Sequence, residues 1–237
     1  MKNDSFRKSV FVTGANRGMG MGYAEHYLEN GLSVIATARN PDKAKALLRL
    51  KMEYPDQLRV LRLDVTNEKS ISDLVSRLKQ MGATFSLVIN NAGISFEEEL
   101  GKWTLRTFET HFRVNAIGPA LISQALLPFL ESKAKLVQIS SGLGSLQQGS
   151  DLENGLDAYA ASKCALHSIT VRLAQKLRFR GMAVFAINPG WVKTNMGGAE
   201  APSTVPEAVG HITRTITNVG LEKTGCFLSE KGEPIPW

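Results

Sequence analysis

The sequence predicts an α/β fold, a doubly wound parallel sheet of about seven strands with helices on both faces. Three observations predict it. Short apolar runs alternate with segments of helical period along the whole chain, the pattern of right-handed βαβ crossovers. A glycine-rich turn, Thr13 to Gly20, directly follows the first of those runs. The residues able to do chemistry fall at strand ends or on the helix that follows, where such sheets bind ligands.

The elements read in order. Ser9–Thr13 is β-rich and runs into glycines, so it reads as a buried strand. Gly18 to Asn30 has helical spacing, with Gly31 as its stop. Ser33–Thr37 is a second strand, and Pro41, after Asn40, opens a helix running to about Glu53. Leu58–Leu63 is a third strand. Ile71, Leu74, Val75 and Leu78 recur at helical period and give a third helix. Phe85–Ile89 is a fourth strand, ending in Asn90-Asn91-Ala92-Gly93. One long helix is expected over Leu105–Leu130, with Pro128 in its last turn. Lys135–Ile139 is a fifth strand, Asp157–Arg180 a long helix, Met182–Asn188 a sixth strand and Gly225–Leu228 a short seventh.

Composition narrows the class. The chain has 237 residues, 43% hydrophobic and 21% charged, which excludes disorder. No repeat, low-complexity tract or linker divides residues 1–237, so they read as one domain, long enough to bury a large core. The formal charge of +6 raises a polyanion partner. Yet the densest basic run, Lys176 to Arg180, sits at a helix end, where cations are favoured. No nucleic-acid partner is expected. No stretch approaches the roughly 18 apolar residues of a spanning helix. Met1 to Lys8 is polar, and Val10-Phe11-Val12 is too short for a signal-peptide core. No membrane partner and a cytoplasmic location are expected. Cys164 and Cys226 form no disulfide framework, which fits a reducing compartment. His26, His111, His167 and His211 have no metal spacing and read as helix-surface or packing residues, so no metal is expected; Cys164 reads as a small hydrophobe against the sheet.

The turn Thr13-Gly14-Ala15-Asn16-Arg17-Gly18-Met19-Gly20 has chemical content. Glycines permit the tight bend and let the backbone approach a pyrophosphate, while the helix N-terminus offers free N–H groups and a positive dipole end. The spacing is G-x-x-x-G-x-G rather than G-x-G-x-x-G, and no Gly-Lys-Ser/Thr follows as in a P-loop. The end of the second strand, Ala36-Thr37-Ala38-Arg39, lacks the carboxylate that bonds a ribose 2′-hydroxyl in NAD sites. Arg39 can pair with a 2′-phosphate, and Arg17 supplies a second cation. NADP(H) is therefore expected over NAD(H).

These features, with Asp64-Val65, Asn90-Asn91-Ala92-Gly93, Asn115, Ser140-Ser141, Tyr159-x-x-x-Lys163 and Pro189-Gly190-Trp191-Val192-Lys193-Thr194, make the chain resemble the short-chain dehydrogenase/reductase family over essentially its whole length. The tail Gly225-Cys226-Phe227-Leu228 to Ile235-Pro236-Trp237, with the run from Pro189 to Gly198, resembles the C-factor and sniffer-type carbonyl reductase subgroup. The resemblance implies a Rossmann-like sheet in the order 3-2-1-4-5-6-7. It implies that Asp64 and Val65 flank the adenine and that Asn91, Ala92 and Gly93 lie against the adenosine half. Pro189, Gly190, Val192 and Thr194 belong to the nicotinamide end. It also implies a homodimer or homotetramer built on the long helices, and a substrate lid around 195–219.

Tyr159 and Lys163 are four apart on a predicted helix and share a face. A nearby ammonium favours the phenolate and lowers a tyrosine pKa from its usual value near 10. Tyr159 is then expected to be the general acid in carbonyl reduction and the base in the reverse direction, with Lys163 also holding the nicotinamide ribose. Ser141 is expected to bond the substrate carbonyl oxygen. Ser140 and Ser141 are adjacent on a strand and face opposite sides; the family pattern favours Ser141. Asn115 resembles the family residue that holds a water behind the lysine; alternatively it satisfies backbone groups within its helix. The interval between Ser141 and Tyr159 exceeds the roughly dozen residues common in the family. Its Gln147, Gln148, Asp151, Glu153 and Asn154 suggest either a hydrated substrate mouth or a solvated loop. The expected activity is hydride exchange between nicotinamide and a small-molecule carbonyl or alcohol. The alternative is a dinucleotide-binding signalling or redox-sensing protein with little turnover.

Overall fold

A computed structural model describes residues 6–148 and 155–237. Their strands form a parallel seven-stranded sheet in the order β3-β2-β1-β4-β5-β6-β7. The strands are β1 Ser9–Val12, β2 Val34–Ala38, β3 Leu58–Arg62, β4 Phe85–Asn90, β5 Leu130–Ile139, β6 Ala183–Ile187 and β7 Phe227–Leu228. The α-helices are α1 Gly18–Glu29, α2 Lys45–Glu53, α3 Glu68–Met81, α4 Leu105–Phe112, α5 Gly118–Leu126, α6 Asp157–Leu177 and α7 Val205–Asn218.

Strands β1, β2 and β6 are buried at every position, as expected of a sheet covered on both faces. Their side chains alternate between two cores. Val10, Val12, Val34 and Ala36 join Leu47 of α2, Tyr23 of α1 and Ile212 of α7 on one face. Phe11 and Ile35 join Leu74 of α3, Ile122 of α5 and Leu177 of α6 on the other. Each such large apolar side chain contributes about 1.5–3 kcal/mol of burial. The edge strand β3 carries Arg59 and Arg62 and is only partly buried, a composition that discourages further strand pairing. Among the described residues no helix is long and apolar enough to cross a membrane.

Several expected boundaries move for physical reasons. The helix expected over Leu105–Leu130 is broken into α4, a π-helical turn at Arg113–Ile117, α5, and a 3₁₀ turn at Leu127–Phe129. Pro119 is the cause. It has no N–H to give the Asn115 carbonyl four residues back, and its ring crowds that carbonyl. The chain widens instead, and the Gly118 N–H reaches the Arg113 carbonyl. The expected second helix divides into a 3₁₀ turn at Pro41–Lys43 and α2, because Ala44 at φ −83°, ψ 65° is not helical. β5 begins at Leu130 rather than Lys135: Leu130 pairs with Phe85, and the register shifts between Phe85 and Leu87. Lys133, at φ 65°, lies in this irregular segment. α6 ends at Leu177, passes through a 3₁₀ turn and stops at left-handed Gly181.

Candidate active site

The glycine turn is built with room for hydrogen and little else. Gly14 and Gly18 have φ of +66° and +56°, values that glycine adopts without a Cβ penalty. A Cβ on Gly20 would run into the Gly14 carbonyl and stand 2.6 Å from Asn91 Nδ2. The end of β4 ties this turn down. Thr13 Oγ1 accepts from the Asn91 and Ala92 N–H groups, both at 2.9 Å, while Asn91 Nδ2 donates to the Thr13 carbonyl at 2.9 Å. The Asn91 amide is therefore committed to holding the turn.

The first turn of α1 has no side-chain cap and no acidic residue. Its free N–H groups and positive dipole end suit an anion, so the cradle fits the pyrophosphate of a dinucleotide. Asn16, Arg17 and Arg39 are exposed around it; Gly18 and Met19 are partly buried. Asp64 Oδ1 accepts from the Thr66 N–H at 3.0 Å and its hydroxyl at 2.7 Å, a closed turn after β3. Val65 packs onto Gly118, where a Cβ would sit 3.0 Å from Val65 Cγ2. On the opposite wall, Thr194 Cγ2 is 3.4 Å from where Gly18 would carry a Cβ. Thr194 Oγ1 accepts from the Gly197 N–H at 3.0 Å, and buried Val192 bridges to Ser203. Gly190, after Pro189, turns at φ +74° and donates its N–H to Asn188 Oδ1 at 3.2 Å. Trp191 Nε1 donates to the Gly197 carbonyl at 2.6 Å. The segment before α7 is thus an internally bonded loop.

α6 presents Tyr159 and Lys163 to the end of β5. Lys163 is buried; its Nζ donates to the Ile139 carbonyl at 2.8 Å and lies 5.6 Å from the Tyr159 ring centroid. Burial holds its ammonium down to a pKa of about 8. Tyr159 keeps some surface open, yet the desolvation of its phenol raises the pKa, opposed by a hydrogen bond with the Ser141 hydroxyl. The sequence expectation of a lowered Tyr159 pKa is thus corrected for the chain alone: desolvation outweighs the hydrogen bond, and Lys163 is bonded to a carbonyl.

The two serines part as the pleat requires. Ser141 faces Tyr159 and caps a 3₁₀ turn at Gly142–Gly144, accepting from the Leu143 N–H at 3.2 Å. Ser140 is buried, its Oγ 2.6 Å from His167 Nε2. Asn115 is also buried. Its Oδ1 accepts from the Ile94 N–H, and its Nδ2 donates to the Ile94 carbonyl and to Ser162 Oγ. That Oγ in turn donates to the Tyr159 carbonyl at 2.6 Å. The Asn115 side chain so ties the loop after β4 to α6. Gly93 completes the corner: a Cβ there would be 3.4 Å from Asn115 Oδ1 and 3.8 Å from Lys163 Nζ.

Sequence reasoning missed the bonding of two histidines. His111 Nε2 accepts from the Phe96 N–H at 3.3 Å, Nδ1 lies 2.9 Å from the Thr107 carbonyl, and the ring sits edge-on to Tyr159 at 6.3 Å. His167 follows Lys163 by four residues, so Tyr159, Lys163 and His167 form an i, i+4, i+8 column that periodicity alone was able to show. Cys164 and Cys226 are free and partly buried. In the long interval before α6, Gln147 and Gln148 are exposed; Asp151, Glu153 and Asn154 lie outside the described residues.

A sheet of this order, with an uncapped glycine turn after β1 and a Ser–Tyr–Lys cluster between β5 and α6, defines a class. Residues 8–205 match the short chain dehydrogenase family model, and the chain belongs to that family of oxidoreductases. Its fold is close to an NADPH-bound carbonyl reductase from chicken fatty liver, at 36% identity and a TM-score of 0.88, covering 97% of this chain and 99% of the other. The carbonyl reductase Sniffer of D. melanogaster superposes with a TM-score of 0.90 at 28% identity, covering 98% and 100%. The C-signal protein of Myxococcus xanthus is 34% identical over 64% of this chain and 92% of its own length.

Proposed function

We propose that this protein is an NADP(H)-dependent oxidoreductase acting on a small-molecule carbonyl or alcohol. The observation that carries the reading is the meeting of Ser141, at the end of β5, with Tyr159 and, one turn further along α6, the buried Lys163, at the sheet end where the glycine turn opens. When bound, the nicotinamide supplies the hydride. The chain's own residues do the rest. Gly14, Gly18 and Gly20 admit the pyrophosphate to the α1 N-terminus, while Arg17 and Arg39 pair with a 2′-phosphate. Thr194 lies against the same turn and closes its far side. Ser141 donates to the carbonyl oxygen and stabilises the charge that develops there. Tyr159 delivers the proton to that oxygen. Lys163, with a pKa of about 8, stays largely protonated at neutral pH and offers its ammonium to the nicotinamide ribose. Asn115, whose carbonyl faces the N–H-less Pro119, offers an acceptor for a water behind Lys163.

The NADPH held by the chicken liver relative supports the cofactor preference. In this reading residues 1–237 are one domain, the loop before α7 is a substrate lid, and the two free cysteines fit a reducing cytoplasm. A groove of about 510 Å³ lined by Val65, Leu105, Phe108, Phe112, Ile117 and Leu121 supports a homodimer or homotetramer built on α4 and α5. Sedimentation velocity reads that assembly, and a strictly monomeric chain contradicts it. The likeness to a C-signal protein supports a second reading, a dinucleotide-binding signal with little turnover.

One experiment separates the two. Dissociation constants for NADPH and NADH are measured, and NADPH oxidation is followed with a panel of ketones, quinones and aldehydes. The oxidoreductase reading expects tighter NADPH binding and turnover on at least one carbonyl. Equal or tighter NADH binding contradicts the cofactor assignment. Tight NADPH binding without turnover on the panel favours the signalling reading.

A further inference from the structure

The segment Ile235–Trp237 has no role in the reading above, yet it is bonded to the loop that carries Ser141. The Trp237 carbonyl accepts from the Leu146 and Gln147 N–H groups at 3.0 and 3.2 Å. The Pro236 carbonyl accepts from Ser145 Oγ at 2.7 Å, and the Ile235 N–H returns to the Phe227 carbonyl on β7 at 2.8 Å. The Trp237 ring stacks on Phe227, with centroids 5.6 Å apart and planes 18° apart, and meets His167 edge-on at 4.9 Å.

His167 joins this anchor to the chemistry. It lies one turn beyond Lys163, 3% exposed, against Phe227 at 4.3 Å and with Nε2 2.6 Å from Ser140 Oγ. Its Nδ1 makes no well-formed hydrogen bond, although the Gly144 backbone stands close to it. The Gly142–Gly144 turn lies flush on α6: a Cβ at Gly144 would sit 2.8 Å from Lys163 Cβ and 2.9 Å from His167 Cε1. Ser141 is thus held from both sides. Ser140 fixes it to His167 on the strand side, and the Trp237 carbonyl holds the far end of its loop.

We infer that Trp237 and His167 are positioning residues, a strap from β7 that sets where the Ser141 hydroxyl stands relative to Tyr159. This rests on the oxidoreductase reading. The strap touches the loop after β5 and none of the glycine turn, so loosening it moves the carbonyl-binding hydroxyl while leaving the cofactor cradle in place. A misplacement of about 1 Å in such a group costs on the order of a hundredfold in rate.

The test compares wild type, Trp237→Ala, Trp237→Phe and Ser140→Ala, each checked for native thermal unfolding. Trp237→Ala is expected to lower kcat for carbonyl reduction at least tenfold, with the NADPH dissociation constant within about twofold of wild type. Amide hydrogen exchange at Leu146 and Gln147 rises in that variant. Trp237→Phe, which keeps a stacking ring, restores most of kcat. Ser140→Ala, which cuts the His167 link, lowers kcat in the same direction and decides the case if Trp237→Ala does not fold. An unchanged kcat, or kcat and NADPH affinity falling together, overturns the strap. If wild-type protein reduces no carbonyl, the oxidoreductase reading fails instead. Exchange at Leu146 and Gln147 then judges the strap, and protection unchanged by Trp237→Ala overturns it.

Discussion

His167 shows how much a single buried side chain can set. Burial is the main reason its pKa falls to about 4 from 6.5, and the neighbouring Lys163 ammonium adds to the effect. The folded chain keeps the ring neutral where the unfolded chain would protonate it. Stability from this group is complete above pH 6.5 and is lost as pH falls towards 4. The full difference is on the order of 3 kcal/mol. We predict that wild type loses stability over that window faster than His167→Gln, measured by urea unfolding at a series of pH values. Parallel pH curves for the two proteins contradict it. The placement of the candidate site residues was largely legible: Tyr159, Lys163 and Ser141 meet as their spacing and motif imply. The two serines were separable only in part, because strand alternation shows that they face opposite ways but not which way. The Ser140–His167 bond joins residues far apart in sequence, and nothing local in either segment announces it. The sign of the Tyr159 shift was misread because spacing shows a lysine nearby, whereas desolvation depends on everything packed around the phenol.

At the scale of elements, the informative departure is the π turn between α4 and α5. Helical periodicity runs straight through Leu105–Leu130, and the sequence reading placed its proline signal at Pro128. The residue that breaks the ladder is Pro119, which has no N–H to act as the α-helical donor to the Asn115 carbonyl. Periodicity records which side chains face the core, and a one-residue widening barely changes that record. We predict that Pro119→Ala restores an α-helical donor to Asn115, closes the π turn and occupies its carbonyl. Kinetics should show kcat reduced roughly ten- to hundredfold without loss of thermal stability; unaltered kcat refutes the assignment. The glycine turn behaves oppositely. Its shape was legible because Gly14, Gly18 and Gly20 are required by backbone geometry, which sequence records directly. The tie between the Asn91 amide and the Thr13 carbonyl was not, since it joins residues far apart in sequence.

Across the whole molecule, alternating strands and helices fixed the class, and the observed strand order is the one the resemblance implies. Under the proposed function, part of the formal charge of +6 has a use in Arg17 and Arg39, both exposed around the cradle. The loops after β5 and β6 take their shape from contacts such as Trp191 with Gly197 and Trp237 with Leu146. Such contacts have no short-range sequence code, so the class of reaction was readable and the particular substrate was not.

The central claim is that Tyr159 protonates a carbonyl oxygen in a chain already able to hold NADPH. Its most direct test is NADPH-dependent reduction by wild type and Tyr159→Phe, with the NADPH dissociation constant measured for both. We predict that the variant binds NADPH within about twofold of wild type and loses roughly a hundred- to ten-thousandfold in turnover on the best carbonyl of the panel. A Tyr159→Phe protein that reduces that carbonyl at the wild-type rate would contradict the account.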